Sequence, residues 1–325
     1  MSSGDATRGA RDLYMECLTL YRQGRYAEAV AVTDRLLERH SADGPAGALA
    51  EALWIKSRSL GEGLGDREQE LSALSDLVAR YGESQDPIAA LIAARGAYNR
   101  GVLLRAMGRP REAAEVLDRV FRRYRSDPPA EEPLLAMRAL YAAVGAFVAA
   151  GDVANAQSRA DELTGLLASA GDATAWLETA RRVTRAGELL HHACAYESAL
   201  RSFEAVAGEL PESAEAEARA WAVRALVGAG MALSRLGRID DALAVNRSIF
   251  AVGEPALKSL EFMAEEAQAG GSRERLAWLL LMKAGVLEQL GREEDRDALL
   301  TSIVERFADD PSPFVAEVVS AARSG

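Results

Sequence analysis

Arginines recur along the chain at a fixed spacing. Arg95, Arg138, Arg181 and Arg224 follow one another in steps of 43 residues, and Arg11 belongs to the same column. A guanidinium group is a planar fork that binds a carboxylate through two hydrogen bonds, and it stays charged at any working pH. The column therefore indicates carboxylate binding, and the carboxylates belong either to a partner or to the chain itself.

An acidic column supplies the internal alternative. Asp118, Asp161 and Glu204 precede Arg138, Arg181 and Arg224 by 20 residues each. A ladder of salt bridges between successive helices would explain both columns without a ligand. Because exposed ion pairs contribute little, such a ladder would have to be buried or networked to stabilise the fold. Both interpretations, a ligand groove and an internal ladder, stay open.

Tyrosines accompany some of the arginines. Tyr14, Tyr98 and Tyr141 share a column three residues, or about one helical turn, after Arg11, Arg95 and Arg138. Aromatic side chains beside arginines are typical of energetically dominant positions in peptide-binding surfaces. Packing between neighbouring helices, with the hydroxyl group at the surface, explains the tyrosines equally well.

Catalytic and metal-binding patterns are weak. The cluster His191-His192-Ala193-Cys194 lacks the spacing of a four-ligand zinc site, and adjacent histidines point to different faces of a helix. It is interpreted as a helix end followed by a turn. The glycine-rich run 61–65 follows no predicted strand, so it does not resemble a phosphate-binding loop. We therefore expect no enzyme activity, no metal site and no cofactor.

The elements that carry these columns repeat with a period near 43 residues. Turns are predicted at Gly24, Gly65, Gly108, Gly151, Cys194, Gly237 and Gly291, with steps of 41, 43, 43, 43, 43 and 54 residues. Periods of this length indicate a repeat array. Apolar residues recur at i, i+3, i+4 and i+7 on both sides of each turn, and alternating strand patterns are absent. The sequence predicts an all-α fold of helical hairpins.

Aligning the turns separates packing positions from the rest. Small residues recur seven positions before the turn and five positions after it, which lets the two helices approach closely. Ser57 takes the first of these places if the second turn is one residue longer. The position twelve residues after the turn is aliphatic in every unit: Leu36, Leu77, Val120, Leu163, Val206, Ile249 and Ile303. This invariably apolar position is expected in the core.

The spacing of small residue, turn glycine and alanine resembles the tetratricopeptide repeat. The turns 24–29 (Gly-Arg-Tyr-Ala-Glu-Ala) and 237–242 (Gly-Arg-Ile-Asp-Asp-Ala) are similar to the turn of that family, and the resemblance covers roughly residues 8 to 308. The period exceeds the family's usual length of about 34 residues. An elongated bacterial variant fits better, and residues 80–124 are its clearest copy. HEAT and armadillo repeats share the longer period but not the regular spacing.

This resemblance implies a right-handed superhelical solenoid of about seven hairpins in which the arginine column faces a concave groove. The groove residues would be Arg11, Arg95, Tyr98, Asn99, Arg138, Tyr141, Arg181, Arg185 and Arg224. Some relatives clamp acidic tails with an asparagine and a pair of basic residues one turn apart. Ala142 breaks this clamp twice, because it replaces the second basic residue after Arg138 and the asparagine before Arg181.

The chain is expected to form one solenoid over residues 1–325 that departs from the period near its end. The last step exceeds 43 residues by 11, and the surplus falls near residues 253–272, where an extra helix or a projecting loop is expected. After Asp310-Pro311, a final helix at about 312–323 would cap the apolar end of the array.

Composition limits the class of partner. The net charge of −11 disfavours general binding to nucleic acids or anionic membranes. Two cysteines and no apolar leader favour a cytoplasmic location. The leading hypothesis is a non-catalytic scaffold that binds a protein or peptide along the concave face, and acidic segments of a partner would suit its arginines. A regulator that senses a peptide or small ligand is the second, and an enzyme on a helical scaffold is the third. The oligomeric state is not indicated.

Overall fold

The computed structural model describes residues 3–42, 44–208 and 215–324, and side chains from residue 8 onward. In these ranges the chain forms sixteen α-helices and no β-strand. The helices belong to two compact units, Met1–Asp152 and Val153–Gly325. Within each unit, helices that follow one another in sequence pack side by side. The predicted all-α fold of consecutive hairpins is confirmed.

The described residues of the first unit form seven helices. They are α1 (Ser3–Arg22), α2 (Tyr26–His40), α3 (Ala46–Arg58), α4 (Arg67–Tyr81), α5 (Pro87–Ala106), α6 (Pro110–Tyr124) and α7 (Leu135–Ala149). A single π-helical turn, Ser59–Gly63, extends α3. The pairs α1/α2, α3/α4 and α5/α6 form hairpins, and α1, α3 and α5 also contact one another in order.

The second unit contains nine helices within its described residues. They are α8 (Val153–Ala168), α9 (Ala173–His192), α10 (Tyr196–Gly208), α11 (Ala216–Arg235), α12 (Ile239–Val252), α13 (Glu254–Ala269), α14 (Arg273–Gln289), α15 (Glu293–Phe307) and α16 (Pro313–Ser324). The hairpins α9/α10 and α11/α12 repeat the arrangement of the first unit, and α9 packs along α11.

The hairpin turns share one backbone geometry. All six glycines aligned in the sequence have φ between 70° and 75°, and Cys194 has φ 60° in the same place. In the first turn, the Arg25 amide donates to the Leu20 carbonyl at 2.9 Å, which closes the helix end in a Schellman motif. The second turn is longer, since the Asp66 amide reaches the carbonyl of Leu60 at 2.9 Å after the π-helical turn. Ser57 is consequently buried at the close-approach position.

Local sequence signals begin several helices. The Asp86 carboxylate accepts hydrogen bonds from the amides of Ile88 and Ala89 at 2.9 Å each, and Pro87 occupies the first helical position of α5. Asp172 caps α9 in the same way through the Ala175 amide at 2.8 Å. Side-chain acceptors at these positions satisfy amides that the helix leaves unpaired. These caps set where the helices start, and thus the register of the side chains that follow.

Small residues bring the helices of a hairpin together. A Cβ atom at Gly101 would lie 2.5 Å from the Leu117 side chain, and one at Gly187 would lie 2.8 Å from the Phe203 ring. Any larger residue there would separate the helices. The aliphatic position twelve residues after each turn is buried in all seven units, as expected of the core.

The surplus residues near 253–272 form a helix. Ala256, Leu257, Leu260 and Met263 are buried on one face of α13, which packs against α11 and α14. The turn into α14 has its own left-handed glycine, Gly271 at φ 70°. At the end of the chain, α16 packs its apolar face on α14 and α15.

Candidate functional site

In the first unit, two arginines of the column meet at one carboxylate. Arg95 Nε donates to Glu132 Oε1 at 2.9 Å, and Arg138 Nη1 donates to Glu132 Oε2 at 3.2 Å. The Arg138 guanidinium also lies over the Tyr98 ring, 4.8 Å from its centroid. Glu132 comes from the segment that precedes α7, so a carboxylate of the chain itself occupies the space between these arginines.

The acidic column is not the partner of the arginines. Asp118 pairs with Arg122 at 2.8 Å, and Asp161 pairs with Arg201 at 3.2 Å. Arg181 instead pairs with Glu178 at 2.8 Å and with Glu217. The pairs that the structure shows for Arg138, Arg181 and Arg224 are therefore not those of the 20-residue ladder. The reason is geometric: carboxylates on the arginines' own helices, on neighbouring helices and in a loop lie closer than those on the preceding second helix of a hairpin.

The remaining predicted residues of the first unit stay apart from this cluster. Arg11 is exposed on α1, whereas Asn99 on α5 and Tyr141 on α7 are partly buried. None of the three makes a hydrogen bond or ion pair with the Glu132 cluster within the described residues. Ala142, where a clamp would need a polar side chain, is 7% exposed and belongs to the apolar core.

In the second unit, two of the predicted arginines, Arg185 and Arg224, border a groove between α9, α11 and α13. Its volume is about 610 Å³. Trp221 of α11 stands between two guanidinium groups, with Arg185 5.4 Å and Arg224 5.2 Å from the ring centroid. On the opposite wall, Phe262 of α13 is 59% exposed, which is a large exposure for a phenylalanine. We call this feature the tryptophan groove.

Two cations of the tryptophan groove have no carboxylate partner within the described part of the chain. Arg185 and Lys258 are exposed, and neither forms an ion pair among the described residues. Arg224, by contrast, is held by Glu188 at 2.9 Å and by Glu266 at 2.6 Å. Only the first two charges are therefore available to a ligand. They lie on α9 and α13, on either side of Trp221.

Arg224 belongs to a buried charged cluster at the edge of the groove. The Glu188 carboxylate accepts from Arg224 and also from Arg275 of α14, at 2.8 Å. Burial by itself raises the pKa of Glu188, but the two guanidinium groups outweigh burial and hold this pKa below its usual value. Glu188 consequently stays ionised and fixes Arg224 beside Trp221.

The His191-His192-Ala193-Cys194 segment is a helix end and turn. The α9 helix ends at His192, and Cys194 replaces the turn glycine. Within the described residues, no group of three or more histidine, cysteine, aspartate or glutamate side chains is arranged to hold a metal ion.

Sequence reasoning missed Trp221, Lys258 and Phe262. Trp221 precedes Arg224 by three residues, so an aromatic residue one turn before a column arginine was a visible signal. Lys258 and Phe262 lie in the surplus segment, outside the 43-residue alignment, and no column marks them. Their placement depends on how α13 packs against α11, which the repeat pattern does not encode.

No model of a known protein family matches the chain, and no curated protein matches it. Among the helices of the described residues, none has both the length and the apolar character needed to cross a membrane. The tetratricopeptide resemblance thus rests on the residues quoted above.

Proposed function

We propose that this chain is a non-catalytic scaffold built from elongated tetratricopeptide-like hairpins, and that it binds a segment of a partner protein in the tryptophan groove. The observation that carries the proposal is the pair of aromatic walls, the partly buried Trp221 and the exposed Phe262, flanked by the cations Arg185 and Lys258, which form no ion pair among the described residues. Large exposed apolar side chains in a concave site indicate a binding surface.

The chemistry of the groove defines the partner. Aromatic and arginine side chains dominate the energy of protein interfaces, and an apolar side chain of the partner would fill the space between Trp221 and Phe262. Carboxylates on either side of that anchor would meet Arg185 and Lys258. Glu217, Glu254 and Glu266 also border the groove, but each of them pairs with an arginine of the chain. Arg185 and Lys258 are therefore the charges that the groove offers to a partner. We therefore assign a segment with one apolar anchor between acidic residues.

The repeat architecture supports a binding role rather than catalysis. Hairpins stacked through small residues and left-handed turns create long helical faces, and repeat proteins use such faces to bind extended partners. A right-handed superhelix and a continuous concave surface belong to this proposal. A sensor of small ligands is the second candidate, and one observation favours it: Arg224 borders both the tryptophan groove and a separate cavity.

Fluorescence anisotropy with labelled synthetic peptides tests the scaffold proposal. The probes are a set of peptides with a central leucine, phenylalanine or tryptophan flanked by glutamates, and matched peptides flanked by lysines or by serines. We expect the acidic peptides to bind best, and Trp221→Ala to weaken binding at least tenfold because it removes the central aromatic contact. Arg185→Gln and Lys258→Gln should each weaken it severalfold.

The matched control is Arg247→Gln, which neutralises an exposed arginine of α12 outside the groove. This variant should bind the acidic peptides as the parent does. The proposal fails if no acidic peptide binds more tightly than its lysine and serine counterparts. It also fails if Arg247→Gln lowers the affinity as much as Arg185→Gln does.

A further inference from the structure

Another cavity lies in the first unit, between the second helices of two neighbouring hairpins. It is bordered by the end of α4, by α6, and by α5, on which both of these helices pack. Its volume is about 160 Å³. Since one water molecule needs only roughly 10–15 Å³ of such space, the cavity holds a molecule of on the order of ten non-hydrogen atoms. We call it the α4–α6 cavity.

Small and branched apolar side chains leave this space open. Ala93 and Ala97 lie four residues apart, so they are neighbours on the face of α5 that borders the cavity. Val116 and Val120 repeat this spacing on α6, and Val78 lines the cavity from α4. These five residues form an apolar surface. A ring or a short hydrocarbon body of a ligand would remove that surface from water, which is favourable.

Arginine side chains border the same space. Arg100 belongs to α5, and Arg119 and Arg123 belong to α6. Arg123 is engaged, because its guanidinium group pairs with Glu83 at 2.8 Å and donates to the Gly82 carbonyl at 2.9 Å. It thereby links α6 to the end of α4. Arg100 and Arg119, by contrast, form no ion pair and no side-chain hydrogen bond among the described residues.

The carboxylates around the cavity do not occupy these two arginines. Glu83 borders the cavity and pairs with Arg123, as described above. Glu112 lies one turn before Val116 on α6, outside the cavity, and pairs with Arg109 at 2.7 Å. Glu115 is exposed on α6 and also lies outside the cavity. Two guanidinium groups beside an apolar surface are therefore available to an anion.

We propose that the α4–α6 cavity binds a small phosphate monoester whose apolar body is about as large as one ring. Arg100 and Arg119 bind the phosphate group, and the body lies on the alanine and valine surface. A phosphate monoester carries a charge of about −1.5 to −2 at pH 7 and has three acceptor oxygens, so one group serves two guanidinium forks. A carboxylate brings one charge and two oxygens. The site is independent of the tryptophan groove, which belongs to the other unit.

Isothermal titration calorimetry on the full chain tests this assignment. The probe is phenyl phosphate, which is compared with inorganic phosphate, benzoate and phthalate. We expect phenyl phosphate to bind with a one-to-one stoichiometry and at least tenfold more tightly than each of the other three. Inorganic phosphate lacks the apolar body, benzoate lacks the second charge, and phthalate divides its charges between two carboxylates. The proposal is overturned if phenyl phosphate does not bind, or if any of the three binds as tightly.

A phosphorylated side chain of a partner protein would present the same chemistry. A five-residue peptide with a central phosphotyrosine separates the two sources. We expect it to bind no more tightly than phenyl phosphate, because the cavity has room for the ring and its phosphate group only. Binding at least tenfold tighter than that of phenyl phosphate would show that peptide residues are recognised, and it would overturn the assignment to a small molecule.

Arg119→Gln locates the phosphate group. Because Arg119 is exposed, this change should leave the fold intact and weaken the binding of phenyl phosphate at least tenfold. Arg111→Gln is the matched control, since Arg111 is exposed on the same helix and does not border the cavity. It should leave the affinity unchanged. Equal losses in the two variants would indicate a general effect of charge and would overturn the proposal.

Ala97→Leu locates the apolar body. The larger side chain would occupy the space of the ring and leave the arginines in place, so phenyl phosphate should no longer bind. Ala106→Leu, an exposed change at the end of the same helix, should bind as the parent does. Circular dichroism verifies the fold of both variants, and Arg119→Gln decides the question if Ala97→Leu does not fold. Unchanged affinity in a folded Ala97→Leu protein would place the ligand elsewhere and overturn the proposal.

Discussion

Cys194 shows how strictly the hairpin turn constrains a single residue. Its φ of 60° is positive, as at the six aligned glycines, and no other non-glycine residue in the described chain has a positive φ. A Cβ atom in the left-handed region costs roughly 1–2 kcal/mol, which glycine avoids. The chain accepts this strain because the Ala195 amide still donates to the Leu190 carbonyl at 2.9 Å and closes the helix end.

We predict that Cys194→Gly stabilises the protein by about 0.5–1 kcal/mol. Relief of the left-handed strain exceeds the roughly 0.4–1 kcal/mol that the greater chain entropy of glycine costs in the unfolded state. Urea denaturation followed by circular dichroism measures the difference. Gly237→Ala is the reverse substitution at an open turn, where a Cβ atom meets nothing within 4 Å. It should destabilise by a similar amount, and stabilisation by this change would refute the explanation.

At the scale of helices, the repeat pattern predicts equivalent surroundings for the column arginines, whereas the structure gives each of them different partners. The 43-residue period places Arg138, Arg181 and Arg224 at corresponding positions of α7, α9 and α11. Arg181 pairs with carboxylates of the repeat helices α9 and α11, whereas Arg138 and Arg224 each meet a carboxylate from a part that does not repeat. Glu132 lies in the segment before α7, and Glu266 lies on the inserted helix α13. Periodicity therefore predicts the turns and the core positions, and it does not predict which carboxylate an arginine meets.

The same reasoning explains why the candidate site was only half predicted. Arg185 and Arg224 follow from the column and its neighbours, and both line the tryptophan groove. The opposite wall is α13, whose residues have no counterpart in the other units. A surplus of 11 residues indicates that something is inserted there. The length of the surplus does not indicate that the inserted helix packs along α11 and exposes Phe262. This packing depends on contacts of α13 that have no counterpart in the other units.

The difference in burial predicts different energetic roles for two column arginines. The Arg224 side chain is 13% exposed and that of Arg138 is 38% exposed. We expect Arg224→Ala to cost about 2 kcal/mol, because it leaves Glu188 buried with Arg275 alone. Arg138→Ala should cost less than about 1 kcal/mol, as exposed pairs do. Urea denaturation of both variants checks this prediction, and equal losses would contradict the assignment of Arg224 to a buried cluster.

Over the whole molecule, a net negative charge contrasts with a local pair of free cations. The chain carries a net charge of −11, yet Arg185 and Lys258 stand beside Trp221 and Phe262 around α11 and α13. The general charge repels acidic partners, and these two cations attract them. This arrangement favours selective binding, because an acidic segment that meets the negatively charged surface away from Arg185 and Lys258 is repelled.

The last hairpin of an array of stacked hairpins needs a cover for its apolar side chains, and α16 provides this cover for α14 and α15. Val318 is 3% exposed and lies in the core that α14 and α15 share with α16. We predict that Val318→Asp costs more than about 3 kcal/mol, because it buries an unpaired carboxylate. Detachment of α16 would expose apolar side chains of α14 and α15, so the average mass in solution should rise with concentration. Size-exclusion chromatography with light scattering measures this rise, and Glu317→Ala, an exposed change on the same helix, should match the parent. A Val318→Asp protein with the stability and mass of the parent would show that α16 does not cap the array.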